Sequence, residues 1–313
     1  LADDLAFLGH CRWEEDLKYA RAVCEQWNIP LRVISMQQTY WDHVVAHTMQ
    51  QLKLGLTPSP DILCNQHVKF GAFLHALDDS YDKIASGHYA QNIESNGSYH
   101  LLKGIDPVKD QTYFLSYLSQ EQLKPILFPI GGYSKQHVRE LAQTMQLSNA
   151  QRADSQGICF LGKFKYNEFV KWHLGAREGN IVDKNTGAIL GKHQGYWFHT
   201  IGQRQGLGLN NGPWFVVGKN AAENIVYVSH TQQLEHHICS SFTVGQIHWI
   251  QTAPEPNMAL AVKVRHGPHT VACRVEDEHV YLEQGEVGIA PGQYAVFYHG
   301  NECLGAGMIL ERQ

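Results

Sequence analysis

The chain has 313 residues, 43% of them hydrophobic and 11% aromatic, and this composition excludes a largely disordered protein. Its net charge of −5 gives no support to nucleic-acid binding over the whole surface, so such binding would need a local basic patch. No apolar run approaches the ~18 residues of a membrane span, and no signal-peptide pattern opens the sequence. Seven cysteines without a CxxC pair favour free thiols in a reducing compartment over a disulfide scaffold or a zinc site.

The first half of the chain alternates helical and strand patterns. "WEEDLKYARAVCEQWN" has apolar residues at helical spacing and acids in its first turn, and "IPLRVIS" after it predicts a short buried strand. "VKFGAFLHAL" predicts a further helix and "YDKIASGHYA" a further strand. Another helix is predicted between "IPLRVIS" and "VKFGAFLHAL". Its apolar face is formed by Trp41, Val44, Val45, Thr48, Met49 and Leu52. This order indicates an α/β domain with a parallel sheet over residues 1–162.

Two helix starts in this half carry capping signals. In "LSQEQL", Ser119 and Gln122 have the spacing of a capping box, and Leu118 and Leu123 that of a hydrophobic staple. Ser134 is predicted to cap the next helix.

The pattern changes after about residue 162. Glycines, aromatic residues and strand-length apolar runs predict a small mixed central domain over residues 163–234. From residue 235 onward apolar and polar residues alternate, which predicts a C-terminal antiparallel β-barrel over residues 235–313. The alternating residues are Leu260, Val262 and Val264, then Val271, Cys273 and Val275, then Tyr294, Val296 and Tyr298.

Two cysteines differ from the others because their surroundings are polar and rich in turns. Cys64 follows "TPSPDIL" and precedes a helical pattern, so its sulfur is expected near a helix N-terminus, where the dipole favours a thiolate. Cys159 lies in "DSQGICF", just after a glycine that permits an unusual backbone. A single cysteine is more often a small buried apolar residue. That role is expected for Cys11, Cys24, Cys239, Cys273 and Cys303.

Four more motifs have an ordinary interpretation beside a functional one. "ASGHYA" runs from a strand into a turn, at the end of a parallel strand where α/β folds bind ligands, although a plain tight turn is the simpler interpretation. "KDQTYF" offers three consecutive hydrogen-bonding side chains or a solvated helix start. "HTIGQRQGLG" lacks GxGxxG spacing and is weak as a phosphate loop. "HHIC" has no second ligand pair at zinc spacing, so no metal ligands are assigned.

Together these stretches resemble the tRNA-specific 2-thiouridylases. The matching segments follow the family's order over nearly the whole chain: "TPSPDILCNQHVKFGAF", "ASGHYA", "KDQTYFLS", "DSQGICFLGK", "HTIGQRQGLG", "GPWFVV", "KVRHGP" and "PGQYAVFYHGNECLGAG". The resemblance implies an N-terminal domain of the adenine nucleotide alpha hydrolase, or PP-loop, type.

The resemblance also implies a mechanism. In such enzymes ATP adenylates the C2 oxygen of uridine 34, the wobble base of tRNAs for Lys, Glu and Gln. A sulfur-relay protein or cysteine desulfurase supplies a persulfide to the catalytic cysteine matched by Cys159, and that sulfur attacks C2. Cys64 matches the second cysteine, which attacks Cys159 and releases the sulfur as a disulfide forms. Asp61 matches a carboxylate with an acid–base role, and the target base must leave the anticodon stack.

Binding residues carry over motif by motif. Gly87 matches an ATP-contacting glycine. Matches to tRNA-contacting residues are Ser59, Pro60, Asp61, His88, Lys109, Asp110, Gln111, Arg265, His266 and Gln293. The family usually has "NPD" where Ser59 begins "SPD", and Arg-Tyr where Arg265 and His266 stand, so one base contact and one stacking contact are expected to differ.

The family's phosphate loop "SGGVDSS", whose N–H groups hold ATP, is absent from the sequence. The chain opens in mid-domain, so we expect an N-terminal truncation or omission, and poor ATP binding by the 313 residues alone. ATP is the expected substrate; whether Mg²⁺ accompanies it is left open.

The basic residues that could form a tRNA-binding surface are Lys163, Lys165, Lys171, Lys192, Arg204 and Arg265; scattered solubilising charge is the alternative. A non-catalytic tRNA-binding protein or pseudoenzyme is the main rival function, although a pure binder needs neither thiol. An amide-forming ligase would share the nucleotide domain only, and a thiol–disulfide oxidoreductase would be expected to show CxxC. We expect a monomer without membrane association, cytoplasmic if bacterial and mitochondrial or plastid if eukaryotic.

Overall fold

The computed structural model describes residues 13–78, 80–152 and 166–312. The chain divides into two compact units: Leu1–Val45 with Pro60–Phe169, and Ala46–Ser59 with Val170–Gln313. None of the described helices is both long and apolar enough to cross a membrane.

The α-helices in chain order are α1 Trp13–Gln26, α2 Gln37–Tyr40, α3 Ala46–Lys53, α4 Pro60–Leu63, α5 Phe73–His75, α6 Thr112–Leu115, α7 Gln120–Leu123, α8 Lys135–Thr144 and α9 Tyr166–Leu174. Two π-helical segments, Trp41–Val45 and Cys64–Ala72, are continuous with neighbouring α-helices. Two 3-10 segments, Tyr196–Phe198 and Thr231–His237, lie between strands.

The strands are β1 Ile84–Ala85, β2 Ala90–Ser95, β3 Ser98–Lys103, β4 Ile126–Leu127, β5 Gly179–Asp183, β6 Ile189–His193, β7 Trp214–Asn220, β8 Ile225–His230, β9 Cys239–Val244, β10 His248–Trp249, β11 Leu260–Lys263, β12 Val271–Glu276, β13 His279–Glu286, β14 Tyr294–His299 and β15 Glu302–Arg312.

The first unit contains a short parallel strand pair among helices. β1 pairs in parallel with β4, with Ile84 opposite Ile126, as the α/β prediction requires. β2 and β3 form an antiparallel hairpin, which the sequence analysis missed. Its turn residues Asn96 and Gly97 have φ values of 51° and 77°, the left-handed pair that closes a two-residue hairpin.

Both predicted caps of the first unit are confirmed. Ser119 accepts from the Gln122 backbone N–H while the Gln122 side chain accepts from the Ser119 N–H, the reciprocal pair of a capping box. Leu118 and Leu123 are buried beside it. Ser134 accepts from the His137 N–H at the start of α8.

The strand predicted for "IPLRVIS" was wrong. Residues 29–35 have no regular secondary structure, and Ile29, Leu31 and Val33 are 54%, 41% and 65% exposed. A strand is stable only when neighbouring backbone groups accept and donate its hydrogen bonds. Within the described residues, no strand pairs with this segment.

The second unit contains two sheets. The first has the strand order β6-β5-β8-β7, with β5 and β8 parallel. The second closes on itself: β9, β13, β12, β11, β14 and β15 pair in turn, and β15 returns to β9. The predicted C-terminal barrel is therefore present. Its core includes Phe242, Val262, Val280, Ile289, Phe297 and Ile309.

Candidate active site and RNA-facing residues

Asp61 and Cys64 lie on one helical segment of the first unit. Pro60 is the first residue of α4, where a proline loses no helical hydrogen bond. Asp61 is half-buried in the first turn, and Cys64 is the first residue of the π-helical segment Cys64–Ala72. The carboxylate and the thiol are therefore one helical turn apart within a helical segment, whereas the sequence analysis expected Cys64 just before a helix.

The surroundings of Cys64 differ from the prediction. The sequence analysis expected a polar turn, but the residue is 0% exposed and sits between buried neighbours Leu63 and Asn65. Because the helix begins at Pro60, Cys64 is beyond the first turn, where the dipole acts most strongly. Any reactivity of this thiol must therefore come from local contacts or from local opening.

Two amide side chains hold the Cys64 segment. Asn65 Nδ2 donates to Phe114 O at 2.9 Å. Gln122 Nε2 donates to Gln66 O at 2.8 Å and to Phe70 O at 2.7 Å. π-helical turns recur at functional sites, and here side chains from α7 and the buried Asn65 fix such a turn in place.

His88 lies in an apolar setting after β1. Its ring is 5.7 Å from that of Phe70 and 6.0 Å from that of Phe128, measured between centroids. Ser86 Oγ lies 2.7 Å from His88 Nδ1 in a hydrogen bond. Burial, with the positive charge of Lys69, lowers the pKa of His88 to about 3. His88 is therefore neutral at pH 7, and any contact that it makes with RNA is not a phosphate ion pair.

Gly87, next to His88, is exposed at the carboxyl end of the parallel strand β1. A Cβ at this position would meet no atom within 4 Å. The open surface suits the close approach of a ligand such as a nucleotide.

The predicted run Lys109, Asp110 and Gln111 is only partly available to a ligand. The Asp110 carboxylate is 3% exposed and accepts from Thr112 Oγ1 at 2.8 Å and from the Gly104 N–H at 3.3 Å. Gln111 Oε1 accepts from the Tyr89 N–H at 2.9 Å. Asp110 is thus buried rather than part of a solvated helix start, and Gln111 joins this loop to the His88 loop.

These contacts bring three predicted motifs together in the first unit. The Cys64 segment contacts the His88 loop through Phe70 and α6 through Asn65, and Gln111 links that loop to the start of α6. Cys159, the other predicted catalytic cysteine, lies outside the described residues.

In the second unit, Ser59 is buried, and Gln293 is tied to the backbone just before it. Gln293 Nε2 donates to Thr57 O and to Pro58 O, both at 3.0 Å. The "PGQ" turn therefore holds a segment of the chain, a role that the sequence analysis did not predict.

Arg265 and His266 are both exposed after β11. The Arg265 guanidinium lies against two glycines: a Cβ on Gly288 would fall 1.0 Å from Arg265 Nη2, and one on Gly202 would fall 3.1 Å from it. Because Gly202 and Gly288 have no side chains, they leave room for the planar Arg265 guanidinium.

The "HTIGQRQGLG" motif, which includes Arg204, lines a shallow cleft of about 400 Å³ together with Trp214. Trp214 Nε1 donates to Asn210 O at 2.9 Å. Among the residues that the structure describes, no three His, Cys, Asp or Glu side chains are grouped as metal ligands would be.

Some side chains that shape the site were not predicted to do so. Asn65 and Gln122 fix the Cys64 segment, and Phe70 and Phe128 surround His88. Gln122 had been identified only as a cap, because its partners Gln66 and Phe70 are more than fifty residues away. Among the other cysteines, Cys273 and Cys303 are buried as expected, and burial raises the pKa of the Cys273 thiol to about 12. Cys24 and Cys239 are only partly buried, and Cys11 lies outside the described residues.

Family models match three consecutive parts of the chain. They are described as a tRNA methyl transferase HUP domain (residues 2–163), a tRNA methyl transferase PRC-barrel domain (residues 167–230) and an aminomethyltransferase beta-barrel domain (residues 239–309). The expected fold classes are confirmed: an α/β nucleotide-hydrolase-type domain, a small central domain and a β-barrel.

Curated relatives agree with these matches. The chain is 42% identical over 310 residues to tRNA-specific 2-thiouridylase MnmA 1 of Bacteroides thetaiotaomicron and 43% identical over 311 residues to MnmA of Parabacteroides distasonis. MnmA of Porphyromonas gingivalis is 40% identical over 315 residues. Each match covers 96% of this chain and 87% of the relative. The chain therefore belongs to the tRNA-specific 2-thiouridylase (MnmA) family.

Proposed function

We propose that the protein is an ATP-dependent tRNA sulfurtransferase that adenylates and 2-thiolates uridine 34 of tRNAs for Lys, Glu and Gln. The observation that carries the proposal is the placement of Asp61 and Cys64 one helical turn apart, in a chain that also retains Cys159 and matches named 2-thiouridylases along almost its full length. A non-catalytic tRNA-binding protein would need neither thiol.

In the proposed reaction ATP is a substrate that converts the C2 oxygen of uridine into a good leaving group. Gly87 borders the open surface at the end of β1 where ATP would lie. The terminal sulfur of a Cys159 persulfide attacks C2, the C2–O bond breaks, and AMP leaves. Asp61 contacts the base and moves protons during this step.

Cys64 completes the proposed reaction. Its thiolate attacks Cys159 Sγ, the bond from Sγ to the transferred sulfur breaks, and that electron pair leaves with the sulfur now on C2. The products are 2-thiouridine and a Cys64–Cys159 disulfide, which an external thiol reduces. Because Cys64 has no exposed surface, this step requires local opening of its segment.

The sulfur comes, in this proposal, from a relay protein or a cysteine desulfurase. Contact with tRNA, in this proposal, involves Ser59, Pro60, Asp61, His88, Lys109, Asp110, Gln111, Arg265 and His266. The family resemblance assigns a tRNA contact to Gln293 as well, but its hydrogen bonds to Thr57 O and Pro58 O favour the different role argued below. We place the domain boundaries at residues 162/163 and 234/235, which is supported by the ends of the family-model matches. The relatives named above are bacterial, which supports a cytoplasmic location. A monomeric state is part of the proposal.

The test is thiolation in vitro by the whole product of the gene, with unmodified tRNA, ATP and a persulfide donor. Mass spectrometry of nucleosides measures 2-thiouridine. We expect product from the wild type and none from Cys159→Ser or Cys64→Ser, whereas Cys273→Ser, a buried cysteine of the barrel, should retain activity if folded.

The alternative function makes the opposite prediction. A tRNA-binding protein without catalysis would bind the same tRNA with equal affinity in the wild type, Cys64→Ser and Cys159→Ser, and none of the three would form 2-thiouridine. That result would overturn the sulfurtransferase proposal.

A further inference from the structure

The backbone just before the candidate catalytic helix is held by the barrel. The Thr57 N–H donates to Pro291 O at 2.8 Å. Gln293 Nε2 donates to Thr57 O and to Pro58 O, both at 3.0 Å. The "PGQ" turn therefore makes three hydrogen bonds to two consecutive residues of the segment that leads into α4.

Packing reinforces these hydrogen bonds. Gly292 has a φ of 90°, and a Cβ there would lie 2.8 Å from Thr57 N and 2.8 Å from Leu56 Cβ. Only glycine combines this backbone conformation with such a close approach of two chain segments. The contact is thus built from the backbone of residues 291–292 as well as from the Gln293 side chain.

Two further side chains of the second unit hold the same segment. The Tyr196 hydroxyl donates to Lys53 O, and Lys219 Nζ lies 3.5 Å from Leu56 O. Carbonyls at four positions between residues 53 and 58 therefore accept from side chains that are distant in sequence.

The sequence of the segment explains why it needs such donors. α3 ends at Lys53, Gly55 has a φ of 80°, and Pro58 and Pro60 have no backbone N–H. Such a segment cannot form a helix or a strand ladder of its own. Its carbonyls must be satisfied from outside, and each satisfied carbonyl fixes the path of the chain.

We propose that Gln293 is a positioning residue, which fixes the backbone at Thr57 and Pro58 from which the Ser59–Cys64 turn departs. This inference rests on the proposed function, and it assigns to Gln293 a different role from the tRNA contact that the family resemblance implies. A glutamine amide has two N–H donors. Because Thr57 O and Pro58 O accept from Nε2, neither donor remains for RNA.

The chain itself connects this contact to the candidate site. Pro58 is bonded to Ser59 and Ser59 to Pro60, the first residue of α4, and Asp61 follows. Loss of the Gln293 amide leaves two carbonyls to be satisfied by water and allows this turn to sample other conformations. Misplacement of a reacting group by about 1 Å can cost as much as 10²-fold in rate, so the chemical step is expected to suffer before binding does.

Gln293→Ala is the informative variant, and Gln284→Ala is its control, since Gln284 is an exposed glutamine on strand β13 of the same barrel. Hydrogen exchange measured on the peptide that covers residues 52–59 shows whether the "PGQ" turn holds this segment, and it does not depend on catalytic activity. We expect exchange of this peptide to accelerate about 10-fold in Gln293→Ala and to stay at the wild-type rate in Gln284→Ala.

Kinetics then distinguish positioning from RNA contact. For Gln293→Ala we expect kcat for 2-thiouridine formation to fall about 10-fold while the Kd for tRNA changes by less than about twofold. Unchanged exchange with a weakened Kd would overturn the proposal in favour of direct RNA contact. Faster exchange with an unchanged kcat would overturn it as well.

Failure of the proposed function would look different from failure of this inference. If the proposed function is wrong, the wild type itself will make no 2-thiouridine, while the exchange comparison will still decide whether Gln293 anchors residues 57–58.

Gln293→Glu provides a second variant of nearly the same shape. Its carboxylate would face the two carbonyls, so exchange of the peptide should be faster in Gln293→Glu than in Gln293→Ala. Circular dichroism and exchange in the barrel peptides verify that each variant is folded.

Discussion

At the scale of single residues, several polar side chains that resemble RNA contacts are also internal structural groups. Asp110 accepts hydrogen bonds from Gly104 and Thr112, and Gln111 binds the Tyr89 backbone. His88 is buried between Phe70 and Phe128. Substitution of these residues would change the loops as well as any direct contact, so loss of activity alone would not identify a tRNA-contacting residue.

His88 gives the clearest pH prediction. Its pKa is about 3 in the folded protein against an ordinary value of 6.5, because burial disfavours the charged ring. Below pH 6.5 the unfolded chain binds this proton and the folded chain does not. His88 therefore causes stability to fall as pH drops from about 6.5 towards 3, by at most about 1.4 kcal/mol per pH unit.

We expect His88→Gln, which cannot take up that proton, to show a shallower loss of unfolding free energy between pH 6.5 and pH 4 than the wild type. Urea unfolding at a series of pH values measures it. His75→Gln, at an exposed histidine of the same unit, serves as the control and should follow the wild type. Parallel curves for all three proteins would contradict the burial of a neutral His88.

At the scale of elements, a short helix with a capping box holds part of the candidate site in place. α7 has four residues, yet its capping-box glutamine also reaches the π-helical segment that begins at Cys64. The sequence predicted the cap because its partners are three residues apart. It could not predict the second pair of contacts, since nothing local indicates which carbonyls Gln122 Nε2 would meet.

Gln122→Ala should therefore lower the free energy of unfolding of the protein by more than the loss of an ordinary helix cap does. The variant loses the reciprocal cap and two hydrogen bonds to Gln66 O and Phe70 O, and we expect a loss of about 2 kcal/mol in the free energy of unfolding. Urea denaturation measures the loss, and hydrogen exchange should accelerate in residues 64–72. Lys124→Ala, at the exposed C-terminal end of α7, is the control. Equal stability of the two variants would show that the Gln122 contacts contribute little.

At the scale of the whole molecule, a chain of net charge −5 can bind tRNA only through local clusters of cations. The candidate cations are not equivalent. Lys192 forms an ion pair with Glu178, and Lys171 Nζ lies 3.4 Å from Gln194 Oε1. Arg265 is exposed and lies against Gly202 and Gly288, where its planar guanidinium can face a phosphate.

We expect Arg265→Gln to weaken tRNA binding and to reduce the slope of log Kd against log salt concentration by about one, as expected for one lost phosphate contact. Lys192→Gln should change the slope less, because Glu178 already neutralises that cation. Filter binding between about 50 and 200 mM KCl measures the slopes.

Gly288→Ala provides an independent version of this test. A methyl group at residue 288 would occupy the position of the Arg265 guanidinium, whereas a methyl group on Gly267 would meet no atom within 4 Å. The tRNA affinity should therefore fall in Gly288→Ala and not in Gly267→Ala. Identical slopes and affinities for all of these variants would favour scattered solubilising charge over a basic binding surface.

The sequence by itself determined the three fold classes in their order along the chain, the caps at Ser119 and Ser134, and the family. These features depend on periodicity and on residues a few positions apart, so one chain is enough to reveal them. The hairpin at Asn96 and Gly97 depends on an equally local turn signal, but the sequence analysis missed it.

Only the tertiary structure decided which polar groups face inward and which segments are held by distant partners. Cys64 proved to be buried, Asp110 internal and residues 29–35 irregular because burial and strand pairing depend on groups elsewhere in the fold. Gln293 and Thr57 are 236 residues apart in sequence. No local pattern encodes their contact, because it exists only after the barrel has closed and brought the "PGQ" turn against the proline-rich segment.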